Sequence, residues 1–82
     1  MTQIAHPAAT RTLDARGSFC PGPLMELIRA IREAQVGDVI AVLSTDRGSR
    51  TDIPIWVAKA GHRMIGVFAI DGGDEIVVAK AR

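Results

Sequence analysis

Two prolines one residue apart, Pro21 and Pro23, stand immediately before Leu24, Leu27, Ile28 and Ile31, whose i, i+3, i+4, i+7 spacing is one face of an α-helix. Proline suits the first turn of a helix, where its missing N–H would have had no partner and its fixed φ is already helical. The pair therefore predicts a helix over 21–35, with Gly37 placed to end it in a left-handed conformation. It also brings Cys20, the single cysteine of the chain, to the helix start.

The flanking patterns belong to strands. Thr12, Leu13 and Asp14 alternate within 11–15, a short strand that leads into the turn at Arg16-Gly17. Val39 to Leu43 is an unbroken apolar run with β-branched character, which predicts a central strand covered on at least part of both faces. Strand, helix and strand in that order imply a right-handed crossover and parallel pairing. The polar stretch 44–50 then leaves the sheet from the edge where the Cys20 helix departs. Thr51 or Asp52 is expected to cap a second helix, with Pro54 in its first turn, Ile53, Ile55, Trp56, Val57 and Ala60 available for packing, and Gly61 at its end. Two further β-branched runs flank Asp71-Gly72-Gly73-Asp74 and read as a hairpin, with Gly66 marking a bulge or a close approach. The expected fold is an α/β (α+β) two-layer sandwich of order βαβαββ: a four-stranded mixed sheet with two helices on one face, its other face partly open or covered by a partner. Residues 1–10, which include His6 and Pro7, read as a flexible, dispensable tail, and 11–82 as one domain.

Composition narrows the function classes. The chain has 82 residues, 48% of them hydrophobic and mostly aliphatic, so one core of Ala, Val, Ile and Leu must hold it. Ten basic against nine acidic side chains leave a net charge of +1, which supplies no pull toward nucleic acid or anionic membrane, and aromatic side chains for base stacking are few. No apolar stretch reaches the roughly 18 residues needed to cross a bilayer, and no basic segment precedes an apolar one at the N-terminus. A cytoplasmic location is expected, and a reducing compartment suits an unpaired thiol. One cysteine and two histidines offer no metal-ligand spacing, so neither metal nor cofactor is expected.

Cys20 is the candidate nucleophile. At a helix start, free N–H groups and the helix dipole favour a thiolate, and lowering a thiol pKa from about 8.5 to roughly 7 raises the ionised fraction about tenfold or more. Arg16 would add a full charge if the turn folds back. Gly17 permits an unusual backbone conformation, and Gly22 leaves the sulfur unshaded by a side chain. A thiol without a second cysteine can accept a sulfane sulfur and hold it, but cannot resolve itself, which argues against a dithiol reductant. Phe19, Met25 (off the helical stripe) and Arg50 are candidates for docking a partner protein, Arg47 less so. Asp14 and Asp52 read as turn and capping residues rather than acid or base groups, His62 as a polar loop residue, and Trp56 as a packing residue. The competing reading is a non-catalytic interaction or regulatory module in which Cys20 only packs.

At Leu13-Asp14-Ala15-Arg16-Gly17, Cys20-Pro21-Gly22-Pro23-Leu24 and Thr51-Asp52-Ile53-Pro54, the chain resembles the TusA (SirA-like) family of small sulfur-carrier proteins over roughly 11–82. The resemblance implies a βαβαββ sandwich and a persulfide on Cys20, supported by Pro21, Gly22, Pro23, Arg16 and Gly17. It implies transient protein partners. A cysteine desulfurase or a rhodanese- or DsrE-type protein would supply the sulfur, and an acceptor protein would take it toward tRNA thiolation, molybdenum-cofactor maturation or sulfur oxidation. No cofactor, no nucleic acid, no membrane and a monomeric state go with that expectation.

Overall fold

The computed structural model describes residues 9–82. Most of the expected tail, His6 and Pro7 included, lies outside the described residues. Six elements follow in order: β1 (Arg11–Asp14), α1 (Gly22–Glu33), β2 (Val39–Ser44), α2 (Ser49–Ala60), β3 (Arg63–Ile70) and β4 (Gly73–Ala79). They form one sheet of order β1-β2-β4-β3. β1 runs parallel to β2 with Leu13 opposite Val42, and β4 runs antiparallel to both β2 and β3. The hairpin strand β4 thus inserts between the two strands that α2 connects.

Side chains alternate across a strand, so Ile40 and Val42 of β2 share a face with Ile76 and Val78 of β4. That face meets Leu27, Ala30 and Ile31 of α1 and Ile53 and Val57 of α2 in one cluster, which places both helices on the same side. Each large aliphatic side chain fully buried there contributes roughly 1.5–3 kcal/mol. On the opposite face Ala41, Leu43, Val77 and Ala79 are buried too, so the central strands are covered on both sides, whereas β3 leaves Ile65 and Phe68 exposed. The register slips between Met64 and Gly66, as the glycine suggests. A β-carbon on Gly66 would stand 2.8 Å from Cζ of Phe68, whose ring lies over it.

Both helices depart from the sequence expectation at their ends. The buried stripe of α1 is Pro23, Leu27, Ala30 and Ile31, with Leu24 and Ile28 at its half-buried flanks. Pro23 and Ala30 take buried positions on this stripe, so the buried face is turned slightly from the most apolar spacing. Gly37 does not end α1. The helix stops at extended Ala34, and Lys80 Nζ donates to the carbonyls of Ala34 at 2.6 Å and of Ile31 at 2.7 Å, the latter also accepting the Ala34 N–H, so that these acceptors of the last turn are met. Gly37, at φ +97°, occupies the turn beyond and donates to the Lys80 carbonyl at 2.8 Å.

Neither Thr51 nor Asp52 caps α2. The helix starts at Ser49 behind Gly48, without a side-chain cap, because a tight turn winds into it: Ser49 N–H donates to the Asp46 carbonyl and Arg50 N–H to the Arg47 carbonyl. Pro54 consequently falls inside the helix rather than in its first turn. Gly61, at φ +83°, ends α2 as expected. Trp56 packs against the core and its ring centroid is 5.8 Å from that of His62. His62 is half-buried and accepts the Ala81 N–H at 3.1 Å, and burial, then Lys80 and Arg82, push its pKa down.

Replacing Lys80 with Met removes two charge-assisted hydrogen bonds at a partly buried helix end. A loss of about 2 kcal/mol is expected, read as a melting temperature roughly 10 °C lower by circular dichroism. Lys59→Met, on the exposed side of α2, is expected to stay within about 0.5 kcal/mol of the parent.

Candidate functional site

The parallel pairing of β1 and β2 brings their C-terminal ends side by side, and the two loops that leave them meet. Ala15 N–H donates to the Leu43 carbonyl at 2.9 Å and Gly17 N–H to Thr45 Oγ1 at 3.0 Å, with Gly17 at φ +88°, a conformation other residues resist. Cys20 follows on this ledge, partly exposed, and its N–H donates to Asp46 Oδ2 at 3.2 Å. The Asp46 backbone N–H donates to Oγ of buried Ser44 at 3.1 Å, and its carboxylate accepts Oγ of buried Ser49 at 3.2 Å. The thiol itself donates to Asp52 Oδ2, 3.2 Å away on the first turn of α2.

Pro21 forms the N-cap of α1, joined to Cys20 by a cis peptide bond, and Pro23 lies in the first turn. The prolines mark the helix start as expected, and Cys20 stands next to the cap. They also remove the amides that were to face the sulfur. Neither proline has an N–H, Gly22 gives its own to the Phe19 carbonyl at 2.7 Å, and Met25 gives its own to the Pro21 carbonyl at 2.8 Å, which leaves Leu24. Gly22 matters for another reason than shading: a β-carbon there would meet Cβ of Ser18 at 3.2 Å.

The expectation of an acidified thiol is overturned. Burial pushes the Cys20 thiol up, the hydrogen bond to Asp52 and its charge push it further, and Asp46 adds to the effect, while hydrogen bonding from Ser49 acts the other way. Arg16 does not offset this, because its guanidinium is engaged by Asp14, with Nε 2.8 Å from Oδ1 and Nη2 2.7 Å from Oδ2. Hydrogen bonds from Arg16 hold the Asp14 carboxyl down at about 2. Among the described residues, the groups that act on the sulfur are therefore two carboxylates and the Ser49 hydroxyl, with no cation.

Of the other residues singled out by sequence, Phe19 and Met25 are exposed at 78% and 53% and flank the sulfur along the chain. Arg50 sits 3.5 Å from Asp74 of β4, and with Arg47 it lines a groove of Thr45, Ala69, Gly72, Gly73 and Asp74 that does not include Cys20. Sequence reasoning missed Asp46 and Ser49, and gave Asp52 a capping role it does not have. The available signal was the convergence of the two loops at one sheet edge, with Asp46, Ser49 and Asp52 at and just beyond the second. Among the described residues no cluster of His, Cys, Asp and Glu could hold a metal ion, and no helix is long and apolar enough to cross a membrane.

The profile of the family described as sulfurtransferase TusA matches residues 11–80, a span that holds the sulfur and every group around it. The chain belongs to the TusA family. It is 50% identical over 70 residues to a provisionally named sulfur carrier protein of Archaeoglobus fulgidus, covering 85% of this chain and 96% of that one. It is 42% identical over 66 residues to the sulfur carrier protein TusA of Pseudomonas entomophila, covering 80% and 79%. Its fold matches the crystal structure of a SirA-like protein from Desulfitobacterium hafniense with a TM-score of 0.78 at 26% identity, over 88% of this chain and 99% of that one. The sheet of four strands and two helices is thus the fold of a SirA-like protein, as the sequence resemblance implied.

In this TusA-family chain the alkylation of Cys20 by iodoacetamide, followed by mass spectrometry across pH, is expected to have its midpoint above that of a free cysteine, about 8.5. A midpoint near 7 would restore the acidified thiol.

Proposed function

We propose that the protein is a sulfurtransferase in the carrier sense: Cys20 accepts a sulfane sulfur from a protein persulfide and passes it to an acceptor protein. The observation that carries this reading is a single thiol, partly exposed on a ledge between two loops, with no second cysteine to form an internal disulfide. Names of the relatives as sulfur carriers support it. In the accepting step the Cys20 sulfur attacks the outer sulfur of the donor R–S–SH. A new S–S bond forms, the donor's S–S bond breaks, and the thiol proton ends on the departing R–S⁻. The products are Cys20–S–SH and R–SH, so no oxidant or reductant is consumed. A cysteine desulfurase or a rhodanese- or DsrE-type protein fits the donor's part. The acceptor's part fits tRNA thiolation, molybdenum-cofactor maturation or sulfur oxidation. The protein would work in the cytoplasm, as a monomer that meets these partners transiently.

The raised thiol favours a second reading, in which Cys20 packs and the domain serves as a docking module. Mass spectrometry separates the two. Incubation with a persulfide donor is expected to add about 32 Da to the parent chain, removable by a thiol reductant, and nothing to Cys20→Ser. An unshifted parent mass would leave the docking module as the better reading.

A further inference from the structure

We propose that Asp52 is a latch on the sulfur: a cationic side chain of the partner protein, placed beside Cys20, draws the carboxylate away from the thiol and frees it to react. The proposal rests on the carrier reading and names the chemistry of the partner. Asp52 is exposed on the first turn of α2 and accepts the Cys20 thiol at 3.2 Å. Among the described residues it forms no ion pair, and neither does Asp46, which holds the Cys20 N–H. Of the arginines singled out near this end, Arg16 is paired with Asp14 and Arg50 with Asp74, and Arg47 lines the groove beside Arg50 that does not include Cys20.

The groups that act on the sulfur are Asp52 and Ser49 from α2 and Asp46 from the loop before it, and the first turn of α1 carries no acidic residue. Two carboxylates that form no ion pair among the described residues thus flank an atom that has to become an anion to react. In the free protein this keeps the thiol protonated and spares it from stray oxidants, since the thiolate is the reactive form. A Lys or Arg brought in by a partner satisfies Asp52 and reverses the local field. Phe19 and Met25, on either side of Cys20 in the chain, and Ile55, one turn beyond Asp52, expose apolar surface of the kind that fills an interface centre. The occupant that fits is a protein whose reactive sulfur is flanked by basic residues. Carboxylates at this position disfavour phosphate-rich partners.

The test uses the full chain and two short peptides, each with one cysteine activated as a mixed disulfide with nitrothiobenzoate, flanked by lysines in one and by glutamates in the other. Cys20 attacks the peptide sulfur, a new disulfide forms, and coloured nitrothiobenzoate thiolate leaves. At pH 7 and low salt the parent chain is expected to react with the lysine peptide roughly tenfold faster than with the glutamate peptide, a preference that shrinks as salt is added. In Asp52→Asn the preference is expected to fall severalfold, and alkylation by neutral iodoacetamide at pH 7 to rise above that of the parent. Asp52→Ser is a second variant at the same exposed position, and both are expected to melt as the parent does. Equal peptide preference in the parent and both variants, or an unchanged iodoacetamide rate, would overturn the latch. Sulfur loading by mass is scored separately: loading with unchanged peptide preference refutes the latch and leaves the carrier standing, whereas absent loading refutes the carrier whatever the peptides do.

Discussion

The site depends on one pairing: β1 lies parallel and adjacent to β2, so the chain leaves both strands at the same end of the sheet. Hydrogen bonds from Ala15 to Leu43, from Gly17 to Thr45 and from Cys20 to Asp46 then lace the two exit loops together. The cysteine owes its position to the first loop and its electrostatic surroundings to the second loop together with the first turn of α2. A slip of one residue in this register would turn Leu13 out of the core and carry the sulfur away from Asp46 and Asp52 at once, because side chains alternate faces along a strand.

At that junction full charges outweigh partial ones. A helix N-terminus offers the equivalent of about half a positive charge, delivered through its free amides. Here Pro21 and Pro23 have no amide proton and the Gly22 and Met25 amides are bonded to carbonyls. Two carboxylates stand in their place, one accepting the thiol and one accepting the cysteine's own N–H. Burial and these carboxylates push the resting thiol up, which suits a carrier that must meet its partner before it reacts more than it suits an enzyme that attacks small molecules freely in solution.

Elements whose signal is local were legible in the sequence. The proline pair and the 3.6-residue stripe mark α1, the run from Val39 to Leu43 marks a strand covered on both faces, and Gly72-Gly73 marks the hairpin, each through residues a few positions apart. Features that depend on distant residues were not. Lys80 closes α1 from 46 and 49 positions away, which no capping pattern reveals. Asp46 and Asp52 reach Cys20 from 26 and 32 positions away, so the acidity of the thiol could not be inferred from its neighbours in the chain. The start of α2 was misplaced because a backbone turn begins it, while Asp52 resembles a cap and is occupied with the sulfur. That residue shows how one local pattern can serve two roles, with tertiary contact deciding between them.

The thiol–carboxylate contact is most directly measured by following the Cys20 Cβ resonance by nuclear magnetic resonance as pH is varied. One inflection is expected, above the ordinary thiol range, because burial and the neighbouring carboxylates push the Cys20 thiol up. It should move down in Asp52→Asn, which removes the carboxylate that accepts the thiol. A single inflection at or below neutral pH, unaffected by that substitution, would contradict a sulfur held in check by its carboxylate neighbour.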